Sequence, residues 1–285
     1  MWFSVDSLVL TLAQAACIAL PRAGLPAALA RFRTGAWALS LPLSIAVVVG
    51  VISVASPAAD VLTWIALLLV PIGGALALGW AMHGARPWLA VLAAPLLALA
   101  WALPDDRLGQ LAGTLLIVGS AVTLGRLLAG AAPLSILEVG VVAMAVVDSI
   151  LVFSHNLQAP NSVLVAASPG PGLPRLQSAA FGTAGLGYGD FFAAAVVGGI
   201  FAVKRVPQLP AALAMVAVTL CWDQLHLVTG VLPRTVPPAF VLVGVEVARR
   251  MRGATAPAAA AARTAGSPRG GSTRSPWAYR SARGR

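Results

Sequence analysis

Long apolar runs with few charges are the feature that most constrains this chain. Hydrophobic residues make up 59% of its 285 residues and charged residues 10%, and the mean hydropathy is +0.89. A soluble domain usually carries about 25% charged residues, so this composition excludes a soluble enzyme. A bilayer core of about 30 Å needs about 20 apolar residues in a helix. The sequence therefore predicts an all-α, polytopic integral membrane protein.

Nine apolar runs are predicted to be membrane-spanning helices. They are 3–20, 36–56, 61–82, 88–103, 111–130, 134–153, 179–203, 209–230 and 236–248. The first run has no basic segment before it and no clean cleavage site after it, so it is predicted to be a membrane helix and not a signal peptide.

The chain is predicted to divide into a membrane domain and a tail. Residues 1–252 contain all nine runs. Residues 253–285 are rich in Ala, Gly, Pro, Ser, Thr and Arg and cannot bury enough apolar surface to offset their ordering entropy. We therefore expect residues 253–285 to be a disordered, Arg-rich cytoplasmic tail.

Basic residues concentrate in every second loop, which orients the spans. With the N-terminus outside, the inner loops and the start of the tail hold Arg22, Arg31, Arg33, Arg86, Arg126, Lys204, Arg205, Arg249, Arg250 and Arg252, and the outer loops hold only Arg107, Arg175 and Arg234. Cytoplasmic loops are enriched in Lys and Arg. The sequence therefore predicts an outside N-terminus, nine crossings and a cytoplasmic C-terminus, in the cell membrane if the source is prokaryotic. The net charge of +10 follows from this rule, and the predicted partner is the lipid bilayer, with no nucleic acid.

Three of the nine acidic residues, Asp148, Asp190 and Asp223, lie within predicted spans and away from the membrane surfaces, whereas the other six lie near span ends or in loops. An ionisable group at that depth costs at least about 2.5–3.5 kcal/mol and indicates function by default. Asp148 lies about 8 Å from the end of the sixth span, and Asp190 lies about 13 Å past Phe181 in the seventh, at about 1.5 Å per residue. Because these helices run in opposite directions, both carboxyl groups are expected in the outer half of the bilayer. Facing carboxyls would share one proton, as in an aspartyl protease, and two separate relay or packing acids are the alternative.

Glycines surround Asp190. Without side chains, Gly187 and Gly189 let a substrate backbone approach closely and let the helix loosen. Cleavage requires this because a helical substrate hides its peptide bonds. The stretch Gly187-Tyr188-Gly189-Asp190 matches the GxGD motif and resembles the presenilin and signal peptide peptidase families of intramembrane aspartyl proteases. The segment that begins at Asp148 resembles the signal peptide peptidase segment that follows its first catalytic Asp, although Val147 replaces the usual Tyr.

This resemblance covers residues 134–250 and implies both a fold and a set of roles. The families have nine membrane helices with their catalytic acids in the sixth and seventh, which implies a presenilin-like fold with Asp148 and Asp190 as the catalytic pair. The first five spans match the families only in number. A Pro-Ala-Leu motif opens the families' ninth helix, and Phe240 replaces its Leu in this chain. The substrate-binding residues implied are Gly187, Tyr188, Gly189, Pro238, Ala239 and Phe240. Simple helix initiation by Pro238 is the alternative for the last three.

The function implied is an intramembrane aspartyl endopeptidase, closest to signal peptide peptidase. It would hydrolyse peptide bonds within transmembrane segments or remnant signal peptides by attack of water, with no metal or cofactor and no covalent intermediate. The predicted orientation further implies substrate helices whose N-terminus is inside.

Two other functions remain open. A proton-coupled transporter or permease would use Asp148, Asp190 and Asp223 as relay groups, although no internal repeat of the spans is visible. A prepilin-peptidase-like protease shares GxGD but typically continues with a Lys-containing segment, where this chain has Phe191 and Phe192.

A few residues outside the motifs also carry expectations. Asp223 and His226 lie on one face of the eighth span, and they are expected to hydrogen-bond each other or to tune protonation in the active site. Cys17 and Cys221 lie in apolar runs and are predicted to be small buried residues.

Overall fold

The computed structural model describes residues 4–25, 34–39, 41, 43, 50, 57–154, 162–163, 167–170, 172–225 and 232–265, and the structural statements that follow concern these residues. They contain eight α-helices: α1 (Val5–Ala19), α2 (Pro57–Leu76), α3 (Ala93–Ala102), α4 (Arg107–Ala131), α5 (Leu134–Phe153), α6 (Tyr188–Lys204), α7 (Gln208–Gln224) and α8 (Val236–Ala265). A π-helical turn, Ala77–Ala81, continues α2, and 3-10 turns cover Gly35–Leu39 and Pro87–Leu92. The strands β1 (Ser178–Phe181) and β2 (Ala184–Gly187) form an antiparallel hairpin. The fold is mostly helical, as predicted.

Three of the described helical segments are long and apolar enough to cross a membrane: Ala59–Ala81, Arg107–Ala131 and Leu134–Phe153. Large apolar side chains on them are exposed, as at Leu68, Val139 and Ile150, and lipid is the environment that such surfaces favour. These features indicate a helical membrane protein, in agreement with the sequence. The nine crossings stay a prediction, because the second predicted span, 36–56, lies mostly outside the described residues.

Two neighbouring predicted spans have different outcomes. The sixth is confirmed with its bounds, since α5 covers Leu134–Phe153 and begins directly after Pro133. The seventh, 179–203, is wrong over residues 179–187, because these form the hairpin and α6 begins only at Tyr188. Hydropathy alone does not separate a short apolar strand from a helix. Asp190 therefore lies in the first turn of α6 and not deep within a helix.

The end of the chain is more helical than the sequence predicts. Helix α8 continues to Ala265, beyond residue 252 where the tail was expected to begin. Alanine is the strongest helix former, which accounts for helix in this Ala-rich stretch. Residues 266–285 lie outside the described part, so disorder of the tail stays a prediction. Two units divide the chain, Met1–Val243 and Gly244–Arg285, and α8 contributes to both.

Helix α6 packs closely against α1 and α4 through small residues. A Cβ on Gly198 would lie 2.5 Å from the carbonyl oxygen of Cys17 on α1, and a Cβ on Gly199 would lie 2.6 Å from that of Gly125 on α4. Small residues allow such close backbone approach in membrane helices. Cys17 is buried as predicted, whereas the prediction for Cys221 is wrong because this residue is exposed. The tight packing of α6 holds its first turn, which carries Asp190, in a defined place.

Candidate active site

Asp148 is a buried acid near the end of α5. Its side chain lies about one and a half turns before Phe153 and is 7% exposed. Its Oδ2 accepts a hydrogen bond of 2.6 Å from Oγ1 of Thr235, a residue that is 3% exposed and directly precedes α8. This length is at the short end of the range for hydroxyl donors. The bond therefore ties the Asp148 carboxyl firmly to the start of α8.

Asp190 is held by the start of its own helix. Its Oδ2 accepts a hydrogen bond of 3.1 Å from the backbone N–H of Gly187, the residue that caps α6. A carboxyl group at the third helical position commonly reaches back to the cap in this way. The bond fixes the Asp190 side chain over the junction between β2 and α6.

The structure brings the carboxyl groups of Asp148 and Asp190 within electrostatic range of each other. This proximity arises because α5 and α6 pack together, with one acid near the end of α5 and the other at the start of α6. Like charges at close range oppose double ionisation.

Arg234 supplies the positive charge beside this pair. Its Nη1 lies 2.9 and 3.0 Å from the two carboxylate oxygens of Asp223, and its charge also acts on Asp190. Asp223 thus has Arg234 as a partner, while its predicted partner His226 lies outside the described residues.

The residues of the GxGD stretch lie where β2 meets α6. Gly187 and Gly189 are exposed and neither has a positive φ. A Cβ on Gly187 would meet its nearest atom at 3.4 Å, and one on Gly189 would meet the Met144 methyl group at 3.9 Å. The fold therefore does not require glycine at either position, and the missing side chains leave the backbone open to a substrate. The hydroxyl of Tyr188 lies 2.9 Å from Oγ of Ser120, and this hydrogen bond joins the stretch to α4.

Pro238, Ala239 and Phe240 lie at the beginning of α8, which starts at Val236. Pro238 and Ala239 are buried, while Phe240 is 55% exposed and its ring centroid lies 5.9 Å from that of Trp222. Proline is well suited to a first helical turn because it has no N–H to satisfy. Helix initiation therefore explains Pro238 without a substrate.

An apolar groove of about 510 Å³ lies between α5 and α8. We call it the α5–α8 groove, and its lining residues are Val142, Ala145, Val146, Ser149, Ile150, Phe153, Val236, Ala239, Phe240 and Val243. Two of these directly follow Asp148 and Thr235 in the chain. The groove therefore contains residues adjacent in sequence to both partners of the Asp148–Thr235 hydrogen bond, and it includes two of the six predicted substrate-binding residues.

The hairpin before Asp190 is anchored at its turn by α1 and α4. The Asp6 carboxylate accepts hydrogen bonds from the backbone N–H of Thr183 at 3.1 Å and from its hydroxyl at 3.3 Å, and it pairs with Arg107 at 3.5 Å. Gln110 Oε1 accepts a bond of 2.7 Å from the N–H of Gly182, which has a φ of +57°. Glycine is favoured there because its φ lies in the left-handed region. These contacts fix the strand that leads into the GxGD stretch.

Sequence reasoning missed three residues that contact the site: Gln14, Arg234 and Thr235. Gln14 carried a signal, since an amide inside an apolar span is costly without partners. The other two lie in a short connection before α8 where no residue pattern marks them. Comparisons with protein-family models, curated proteins and solved structures found no match to this chain.

Proposed function

We propose that this chain is an intramembrane aspartyl endopeptidase. The observation that carries the proposal is the meeting of Asp148 and Asp190 within electrostatic range at the ends of two packed helices. Each acid has its own hydrogen-bond donor, Thr235 for the first and Gly187 for the second. Carboxyl groups that are both close together and separately oriented suit general acid–base catalysis.

The proposed chemistry consumes one water molecule. One ionised carboxylate removes a proton from the water molecule while the water oxygen attacks the peptide carbonyl carbon. The other carboxyl group, which is protonated, donates its proton to the carbonyl oxygen. The tetrahedral intermediate then collapses: one of its hydroxyl groups returns a proton to the carboxylate that had donated one, the C–N bond breaks, and the proton taken from water moves to the leaving nitrogen. The products are a new carboxyl group and a new amine, and the pair returns to its starting state.

Two features support a substrate of transmembrane type. The α5–α8 groove is apolar and is lined by Ser149, the residue after Asp148, and an apolar lining suits the side chains of a hydrophobic segment. Strand β2 pairs with β1 on one side, and among the described residues no third strand covers its other side. An extended segment can add to such an edge, which would expose its peptide bonds directly before Asp190.

The membrane arrangement that we propose is a presenilin-like fold with nine crossings, in which the N-terminus is outside and the C-terminus is cytoplasmic, the orientation of signal peptide peptidase. The hairpin then lies at the outer end of α6. Non-helical backbone at membrane depth is tolerated where it is buried in protein or lines a water-filled cavity. A hairpin beside the acids is therefore compatible with a hydrolase, which must bring water to its site. Substrate helices with their N-terminus inside are part of this proposal.

The deciding experiment measures cleavage of a tagged single-span peptide by the full-length protein reconstituted in vesicles. Asp148→Ala and Asp190→Ala are each expected to lower the rate by at least about 1,000-fold, because general acid–base catalysis and water activation are both lost. Asp60→Ala is the control, since Asp60 is an exposed acid in the first turn of α2. Cleavage that persists in either of the first two variants would contradict the proposal.

The same vesicles test the alternatives. Proton-driven uptake of a solute without any cleavage would favour a transporter, in which Asp148, Asp190 and Asp223 act as relay groups. A peptide inserted in each of the two orientations tests the substrate rule. Equal cleavage of both, or cleavage only of the peptide with its N-terminus outside, would remove the orientation from the proposal.

A further inference from the structure

One buried amide reaches both halves of the site. Gln14 lies in the middle of α1 with 0% of its side chain exposed. Its Nε2 donates to the backbone carbonyl of Asp190 at 3.1 Å and to that of Arg234 at 3.2 Å. Both N–H groups of the amide are thereby used, and two carbonyl acceptors require the nitrogen, not the oxygen, at this position.

The two acceptors belong to the segments that carry the acids. The first is the backbone of Asp190 itself. The second, on Arg234, directly precedes Thr235, the residue whose hydroxyl binds Asp148. A single side chain therefore connects the first turn of α6 with the connection that orients the other acid.

The connection before α8 is held from a second side as well. The Arg234 guanidinium is paired with Asp223 at 2.9 Å, and its charge acts on Asp190. Because the backbone is held by Gln14 and the side chain by α7, the position of Thr235 depends on both contacts. A support of this kind keeps reactive groups at a defined separation.

Stability alone does not account for Gln14. Its Oε1 is buried and has no hydrogen-bond partner among the described residues. A buried polar atom without a partner is unfavourable, and an apolar side chain of similar shape avoids that cost. Gln14 also lines a small cavity of about 20 Å³ together with Thr11 and Arg234. The amide is thus retained at a place where packing would favour Leu or Met.

We infer that Gln14 is a positioning residue, whose amide sets the separation and relative orientation of Asp148 and Asp190. The expected effect of Gln14 on catalysis rests on the proposed function of the two acids. Its structural content, a link between the two acids through α1, is independent of what the acids do.

The chain contains a matched control at the opposite ends of the same helices. Nε2 of Gln208 donates to the carbonyls of Ile18 at 3.0 Å and Gly198 at 3.1 Å, and also to that of Pro21 at 2.9 Å. Gln208 therefore bridges α1 and α6 by the same chemistry as Gln14. It contacts neither acid nor the connection before α8 among the described residues.

The experiment compares Gln14→Met with Gln208→Met in the full-length protein reconstituted in vesicles. We expect Gln14→Met to lower kcat by at least about 10-fold with KM within about 2-fold, because misplaced reacting groups affect the transition state more than binding. We also expect its pH–rate profile to move. Gln208→Met should keep the wild-type pH profile and a kcat within about 2-fold.

A second measurement does not depend on cleavage. The carboxyl infrared bands of the pair, assigned by their loss in Asp148→Asn and Asp190→Asn, are titrated with pH in each variant. Gln14→Met is expected to displace this titration and Gln208→Met is not. If Gln14→Met fails to fold, Gln14→Asn replaces it, because the shorter amide cannot reach both carbonyls.

The outcomes separate the two proposals. Equal kinetic changes in the two Gln variants, or an unchanged infrared titration in Gln14→Met, would overturn the role of Gln14. A displaced titration in a protein that cleaves no peptide would support the Gln14 link while the proposed proteolysis fails.

Discussion

Helices α5 and α6 carry opposite kinds of charge pair at their two ends. Where α5 begins and α6 finishes, Glu138 and Lys204 form an ion pair whose side chains are each 18% exposed. Where α5 finishes and α6 begins, Asp148 and Asp190 bring two groups of like charge together. Opposite charges attract each other directly, whereas two carboxyl groups near each other need hydrogen-bond donors from other elements to stabilise them.

Those partners explain why the two ends differ in construction. At the Glu138–Lys204 end, an ion pair of opposite charges joins the two helices directly. The Asp148–Asp190 end receives hydrogen bonds from three other elements. The donors are the Thr235 hydroxyl before α8, the Gly187 N–H at the end of the hairpin and the Gln14 amide on α1. Arrangements that are unfavourable in isolation persist where the surrounding structure enforces them, and they cluster at functional sites. Under the proposed function, the Glu138–Lys204 end serves stability and the Asp148–Asp190 end serves chemistry.

The largest expected effect comes from the hairpin turn at the Asp148–Asp190 end. Gly182→Ala forces alanine to a φ of +57° and places its Cβ on the Asp6 carboxylate. We expect the free energy of unfolding to fall by about 3 kcal/mol, measured by denaturant titration, together with a loss of cleavage.

Gly84→Ala is the control for this change. Gly84 also has a positive φ, +76°, but a Cβ there meets no atom within 4 Å, so backbone strain alone should cost about 1 kcal/mol. Equal losses in the two variants would show that the Asp6 contact does not support the hairpin.

A smaller effect is expected from the Asp148 hydrogen bond. Thr235→Val keeps the shape of the side chain and removes the donor, so kcat should fall about 10- to 100-fold, or about 1.4–2.7 kcal/mol in activation free energy. Thr235→Ser keeps the hydroxyl and should remain within about 3-fold of wild type.

Thr219→Val is the matched control, because Thr219 is 0% exposed and its hydroxyl contacts only the Met215 sulfur at 3.8 Å among the described residues. Its kcat should not change. If Thr235→Val and Thr219→Val behave alike in single-turnover cleavage, the Thr235 hydroxyl has no part in orienting Asp148.

The smallest effect is expected from a change in the Glu138–Lys204 ion pair, at the other end of α5 and α6. Glu138→Gln should lower the free energy of unfolding by about 1 kcal/mol, since its partner Lys204 is only partly exposed. Cleavage should stay within about 2-fold of wild type. Glu246→Gln is the comparison, because its partners Arg249 and Arg250 are 46% and 78% exposed and such pairs contribute less. A loss of cleavage in Glu138→Gln as large as that in Thr235→Val would mean that the two ends are not separable.

Sequence reasoning succeeded where the signal is local. The bounds of α5 were predicted correctly because an apolar run there follows Pro133 and ends before polar residues. It failed at 179–187, where an equally apolar stretch folds as a hairpin. Gly187 was interpreted as a residue that lets a helix loosen, whereas it ends β2 and caps α6, and Gly182 forms the turn of the hairpin. Periodicity distinguishes strand from helix poorly in such short segments.

The sequence by itself determined that this chain forms apolar helices and that two of them carry acids, because hydropathy and charge are properties of each residue and its neighbours. Only the tertiary structure decided which polar atoms surround those acids. Gln14 contacts carbonyls that are 176 and 220 residues away along the chain. No local pattern encodes such a contact, since it exists only after α1, α6 and the start of α8 have packed together.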